Sequence, residues 1–408
     1  MIENKTIGII GDYPPTSGGI ATGVKEVVNV LSKKNRVILI TPSQRSSFEF
    51  FDGVEIHRVK KIQRKHLTML TTILSLMKKA FSLRNKVDLF HCHGFTDAGI
   101  GLIDKGVPLI LTVHGYPALE SVTTGRIKDN SIELKLLRRI EKEIAKRANA
   151  IIAVDSTIQN WLREDLKVNE QKLFCIPNGV NTRFFSPFVN GEEIRKKYGI
   201  KENEKLIVVI RRFTPKNGVE IALNAFDLLV KKYGFRNVRL LLAGGGELKE
   251  RFARIIAENK LGNIVILEDL IFHDEIPKYF SSADIIVNTF THIHSVKEFE
   301  VSSLFEAFEK VRPIATSNTT LEALSSGKAT VVSTVGGKFK DISSDDIGVL
   351  TPDNDPEILA GALSKLLSSE RLAKSIGKNG REYVEKERTW NMIAEKISEV
   401  YNFAISRN

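Results

Sequence analysis

The chain has 408 residues, 42% hydrophobic and 27% charged, with 60 lysines and arginines against 49 aspartates and glutamates. That length exceeds one ordinary domain and suits two, and the composition excludes a disordered or fibrous chain. Two distant cysteines, Cys92 and Cys175, argue against a disulfide framework, no apolar run is long enough to span a membrane, and Ile7–Ile10 is too short for a signal-peptide core, so a cytoplasmic protein is expected.

In chain order, Thr6–Ile10 predicts a strand, followed by a Pro/Gly loop, a helix over Val24–Lys33 and a strand over Val37–Ile40. The net charge of +11 asks for an anionic partner, and its densest stretch, Arg58 to Lys65, comes next. It holds no aromatic residue, whereas a nucleic-acid platform interleaves aromatics with cations, so no nucleic acid is expected. The stretch runs into Leu67, Leu70, Ile73, Leu74 and Met77 and closes with Lys78, Lys79 and Arg84. Residues 58–84 therefore read as an amphipathic helix with a cationic rim. Two readings stay open for it: contact with an anionic membrane surface, or a helix docked on its own domain with solvated lysines.

Strands follow at Leu89–His93, Pro108–Val113 and Ala150–Val154, with a helical pattern over Ile132–Arg147. Short apolar strands alternating with helices imply a parallel sheet covered on both faces. Ile176 to Asn181 is turn-rich, and Pro187 to Gly191 has the composition of a linker. A second alternation takes strands at Lys205–Ile210, Val238–Ala243, Ile264–Leu267, Ile285–Asn288 and Ala329–Thr334, with helices over Glu220–Lys232 and Glu247–Asn259 and a helical tail. The expected architecture is α/β, two Rossmann-like doubly wound parallel-sheet domains facing across a cleft. Residues 1–186 form the first domain and 187–385 the second, and a terminal helix over 386–408 packs back on the first. Ligands of open α/β sheets bind beyond the carboxyl ends of the strands, so the site is expected there.

Several motifs fall at such ends. Gly18-Gly19 follows the first strand and opens a helix, where backbone amides can approach a phosphate; a plain tight turn accounts for it equally. His91-Cys92-His93-Gly94 and Thr112-Val113-His114-Gly115 put histidines at strand ends. Residues two apart on a strand crowd a tetrahedral site, and nothing supplies further ligands, so no metal is expected, at His292 and His294 either. His114 reads as a donor to substrate or as a buried structural histidine. Arg211-Arg212, ahead of Pro215-Lys216-Asn217-Gly218, can stabilise a diphosphate leaving group without metal. Asn318, Thr319 and Thr320 are capping types, so they are expected to turn amides outward at a helix start. Glu322, placed in the first turn, can accept from both hydroxyls of a ribose or merely complement the helix dipole.

The order of these motifs resembles family 4 of the retaining glycosyltransferases, the "group 1" enzymes with the GT-B fold. Gly18-Gly19, His93-Gly94 with Thr112 to Gly115, Ala148 to Val154 with Ile176 to Asn181, Leu242 to Gly246, and Glu322 to Gly337 carry the resemblance. It implies a sugar transferred from a nucleoside-diphosphate sugar to a glycan or lipid-linked acceptor, with no cofactor or metal. By the same resemblance Arg212 holds the donor diphosphate, Glu322 its ribose, and His114 faces the transferred sugar. Asn318 to Thr320 cap the phosphates and Gly18 and Gly19 approach them.

Two departures accompany the likeness. The family's lysine, five residues after Arg212, is Asn217 here, with Lys216 the neighbouring candidate. The first of its paired glutamates falls on Ile314, and Phe290 to Arg312 reads as an insertion at the donor pocket. A register using Glu298 and Glu306 is rejected because Val311 stands where a glycine belongs. The missing glutamate leaves open a sugar-nucleotide-binding subunit without activity. Another GT-B enzyme, such as a nucleotide-sugar epimerase, is the third reading.

Overall fold

The computed structural model describes residues 1–16, 18–61, 68–123, 127–291, 317–334, 342, 344–352 and 354–407. They divide into two compact units: Met1–Gly179 with Trp390–Asn408, and the described residues between 180 and 389. The division falls earlier than the expected residue 186. Val180 and Phe185 already sit in the core of the second unit, and the Val180 amide donates to the Arg388 carbonyl oxygen.

In the first unit the chain runs β1 (Thr6–Ile10), α1 (Gly19–Leu31), β2 (Arg36–Ser43), β3 (Ser47–Phe51), β4 (Val54–Lys60) and α2 (Thr68–Leu83). It continues with β5 (Leu89–Cys92), β6 (Leu109–Val113), α3 (Pro117–Thr123), α4 (Ile132–Arg147), β7 (Ala150–Ala153), α5 (Ser156–Glu164) and β8 (Leu173–Cys175). The strands form one sheet in the order β3-β4-β2-β1-β5-β6-β7-β8. β1, β5, β6 and β7 are four or five residues long and almost wholly buried, the signature of parallel strands covered on both faces.

The hairpin β3–β4 was not legible in the sequence. β3 pairs antiparallel with β4, through a turn in which Asp52 and Gly53 both take positive φ, 49° and 78°. Arg58 to Lys60 therefore lie on an edge-side strand rather than on the amphipathic helix read from the sequence. Residues 62–67 of that segment lie outside the described residues. α2 docks on the sheet through Ile73, Leu76, Ala80 and Leu83, while Leu70 and Leu74 are exposed.

The second unit runs α6 (Glu192–Lys197), β9 (Lys205–Ile210), α7 (Val219–Lys231), β10 (Val238–Ala243), α8 (Lys249–Glu258), β11 (Val265–Glu268), α9 (Ile276–Ser282) and β12 (Ile285–Thr289). After residues that are not described come α10 (Asn318–Ser325), β13 (Ala329–Thr334), β14 (Val349–Pro352), α11 (Pro356–Leu367) and α12 (Glu370–Glu387). Its sheet is wholly parallel, in the order β11-β10-β9-β12-β13-β14. α7, α8 and α11 cover one face, and α6, α9 and α10 the other. The final helix, α13 (Trp390–Ser406), returns to the first unit, where Trp390, Ile393, Ile397 and Tyr401 share a core with α1. Among the described residues no helix is long and apolar enough to cross a membrane.

Candidate active site

In the second unit the carboxyl end of β9 carries Arg211 and Arg212. The Arg211 amide donates to the Ala243 carbonyl at 3.0 Å, and the Phe213 amide to that of Gly245 at 2.9 Å. This close approach of two strand ends is what Gly244 and Gly246 permit. A Cβ on Gly244 would sit 1.9 Å from the Arg211 carbonyl oxygen, and one on Gly246 2.4 Å from that of Phe213.

Arg211 is a scaffold residue. Its guanidinium donates to Asn217 Oδ1 at 2.9 Å and to Ser317 Oγ at 3.3 Å, and lies 4.1 Å from the centre of the Phe290 ring. Burial, aided by neighbouring Arg212, pulls its pKa down to about 10, so it stays charged at neutral pH. Asn217 is buried and its amide is engaged on both sides, since Nδ2 also donates to the Arg212 carbonyl. It closes the loop. Arg212 is exposed and has no ion-pair partner among the described residues. The side chain of Lys216 lies outside the described residues, as do Ile314, Glu298, Glu306, Gly336, Gly337, His292, His294 and all of the 290–312 segment except Phe290 and Thr291.

Ser317, not Asn318, is the N-cap residue of α10; Asn318 and Thr319 follow as its first, half-buried residues. Thr320 is fully buried, with Oγ1 accepting from Asn288 Nδ2 at 3.1 Å, so its side chain fastens α10 to β12. Glu322 sits one turn inside the helix rather than in its first turn, because the helix begins at Asn318. It is buried, and Oε1 lies 3.1 Å from Nε2 of His273. That ring stacks on Phe184 and meets Phe185 edge-on, with centroids 5.7 and 5.5 Å away. The sequence reading missed His273, Ser317 and the scaffold role of Arg211. His273 lies 49 residues before Glu322, and no spacing rule joins them.

In the first unit Gly18, with φ 131° and open space where a Cβ would go, precedes Gly19 at the start of α1. The histidines form a ladder at the ends of β5 and β6. His91 is bonded at both nitrogens, Nδ1 to the Tyr401 hydroxyl at 2.6 Å and Nε2 to Thr112 Oγ1 at 2.7 Å. His93 Nδ1 lies 3.1 Å from His114 Nε2, with the rings stacked. Burial lowers all three pKa values, His91 to about 3 and His114 to about 4, so the imidazoles are neutral at pH 7. His93 and His114 line a small cavity with Thr112, Val154 and Trp390. Among the described residues no three His, Cys, Asp or Glu side chains gather as a metal site would require.

Two family models match the chain in succession, Glycosyltransferase Family 4 over residues 17–184 and Glycosyl transferases group 1 over 190–383. The chain belongs to the family 4, group 1 glycosyltransferases. An uncharacterized glycosyltransferase of Methanocaldococcus jannaschii is 24% identical over 407 residues, covering 97% of each chain. Among solved structures, sucrose-phosphate synthase of Thermosynechococcus elongatus superposes with a TM-score of 0.75 at 20% identity, over 99% of this chain and 100% of that one. HepE of Anabaena, solved in complex with UDP-glucose, gives 0.72 at 16% identity over 98% and 100%. The fold is GT-B.

Proposed function

We propose that the chain transfers a sugar, with retention at the anomeric carbon, from a nucleoside-diphosphate sugar to a glycan or lipid-linked acceptor in the cytoplasm. The observation that carries this reading is the arginine turn at the end of β9. One guanidinium is consumed in tying that turn to the N-cap of α10, and the second is exposed, with no ion-pair partner among the described residues. An exposed guanidinium at the carboxyl end of a strand can stabilise a leaving diphosphate, and in this reading it replaces a bound metal. Glu322 takes the donor ribose through the carboxylate oxygen that His273 does not engage. In the first unit, the start of α1 after Gly18 suits an anion and the neutral His114 suits a sugar hydroxyl.

A panel of nucleoside diphosphates and their sugars tests the reading. The cognate donor raises the melting temperature through the binding free energy it adds to the folded state, and release of nucleoside diphosphate follows when acceptor is supplied. Glu322→Ala should weaken donor binding by roughly ten- to a hundredfold, the loss of a charge-assisted hydrogen bond, while leaving the fold intact. Binding without release for every donor would replace the transferase with a sugar-nucleotide-binding subunit. An unchanged affinity in the variant would remove Glu322 from the site.

A further inference from the structure

The edge of the first sheet carries an exposed apolar surface that includes none of the proposed donor residues. All five residues of β3 are exposed, including Phe48 at 63%, Phe50 at 71% and Phe51 at 61%. Edge strands usually protect themselves with charge, proline or a covering element; this one presents three rings to water. Phe48 pairs with His57 and Phe50 with Glu55, and those residues pair in turn with Ile40 and Ile38 of β2, which pack with α2. Phe48 and Phe50 therefore stand on the α2 side of the sheet and Phe51 on the opposite side. On α2 itself Leu70, Leu74 and Phe81 remain exposed, at spacings that keep them along one outward stripe.

The charge of the molecule is concentrated in the same segment. Residues 36–86 hold eleven lysines and arginines against three acidic residues, most of the chain's excess of +11. Two of the three carboxylates are already neutralised, Glu49 by Arg58 and Glu55 by Arg36. Asp52 sits in the turn, while Arg45, Lys60, Lys78 and Lys86 of the same segment are exposed.

We propose that the β3–β4 hairpin inserts Phe48, Phe50 and Phe51 into the interfacial region of an anionic lipid bilayer, with the outward stripe of α2 and its cations lying on the headgroups. A rigid protein partner would cover one face of the hairpin and leave the rings of the other in water. A second copy pairing edge to edge would satisfy the backbone of β3 and still leave rings on both faces. A bilayer interface closes around both faces and supplies the negative charge the cations match. This goes beyond the donor chemistry and does not depend on it.

Flotation with vesicles of phosphatidylcholine, alone or mixed with phosphatidylglycerol, tests the proposal in low salt without any donor. The wild type should float only with the mixed vesicles, and added salt should weaken its binding. The combined variant Phe48→Ser, Phe50→Ser, Phe51→Ser should bind at least about tenfold less, with unchanged melting temperature and unchanged donor binding. Should that variant misfold, Phe50→Trp serves instead, and the emission it adds to that of the wild type should shift to shorter wavelength with the mixed vesicles. The proposal falls if the wild type ignores anionic vesicles, if the serine variant binds like the wild type, or if the added indole emission of Phe50→Trp stays fixed. It falls equally if light scattering shows a dimer that the serine variant abolishes.

Discussion

The two units end their strands in different chemical material. In the first, titratable groups near the strand ends and beneath them are pushed to their uncharged forms. The imidazoles of His91, His93 and His114 are held neutral by burial, and the carboxyl groups of Asp97 and Glu141 are raised to about 8 and about 7, chiefly by burial. In the second, Arg211 keeps its charge in a half-buried setting and Arg212 presents another to solvent. A permanent cation suits a permanent anion such as a diphosphate. Neutral imidazoles suit hydroxyl groups, which need direction from a hydrogen bond rather than attraction from a charge.

The comparison is most easily broken at Arg212. Arg212→Ala should lower kcat/KM for the nucleotide sugar by about a hundredfold or more, as expected when one charge-stabilising donor is lost. Arg212→Lys should recover part of that, since it restores the charge but not the planar fork. Steady-state kinetics on the cognate donor reads both. A variant as active as the wild type would mean that Arg212 is only a solvated surface cation.

A somewhat smaller effect is expected at Gly244, which packs against the arginine turn. Gly244→Ala forces a Cβ into the Arg211 carbonyl and requires a φ of 157° from a residue that rarely adopts it. The strand ends must separate, at a stability cost of about 2–3 kcal/mol. The melting temperature should fall by several degrees and donor affinity should fall with it. Lost stability with intact affinity would show that the turn holds Arg212 in place without the glycine.

How much of this was legible depends on range. The alternation of apolar strands with helices gave the fold class, and β1, β9, β10 and β13 fall on the residues read from hydrophobic runs. The same reading missed β3, because an edge strand exposed on both faces has no alternation to show. At the site, Arg212 and Glu322 stood out because each sits in a local motif. His273 did not, since only the folding of the β11–α9 loop over Phe184 and Phe185 carries it to Glu322. Glu322 was placed in the first turn of α10 because Asn318, Thr319 and Thr320 are all good caps in sequence; packing starts the helix ahead of them, and Thr320 is drawn into the core by Asn288.

The finest test of the comparison concerns stability and lies at Glu141, inside the first unit. Its side chain is fully buried; Oε1 accepts from the Ala118 amide at 3.1 Å, and Oε2 has no partner among the described residues. Burial is the main cause of its raised pKa, opposed by the Ala118 amide. A folded value of about 7 against an ordinary 4.5 means that the native state holds a proton the unfolded chain releases between those two values. The stability this provides is complete below pH 4.5 and is lost as pH rises through 7. Glu141→Gln keeps an acceptor for Ala118 and removes the titration. The variant should therefore lose about 1–3 kcal/mol less than the wild type between pH 5 and pH 8, read from denaturant unfolding at the two values. Taking the difference between the two proteins cancels the slope from Asp97, which has the same sign, and that from the histidines, whose stability is lost as pH falls below 6.5. Parallel curves would show Glu141 charged in the native state, and the first unit would then be less averse to charge than its histidine ladder suggests.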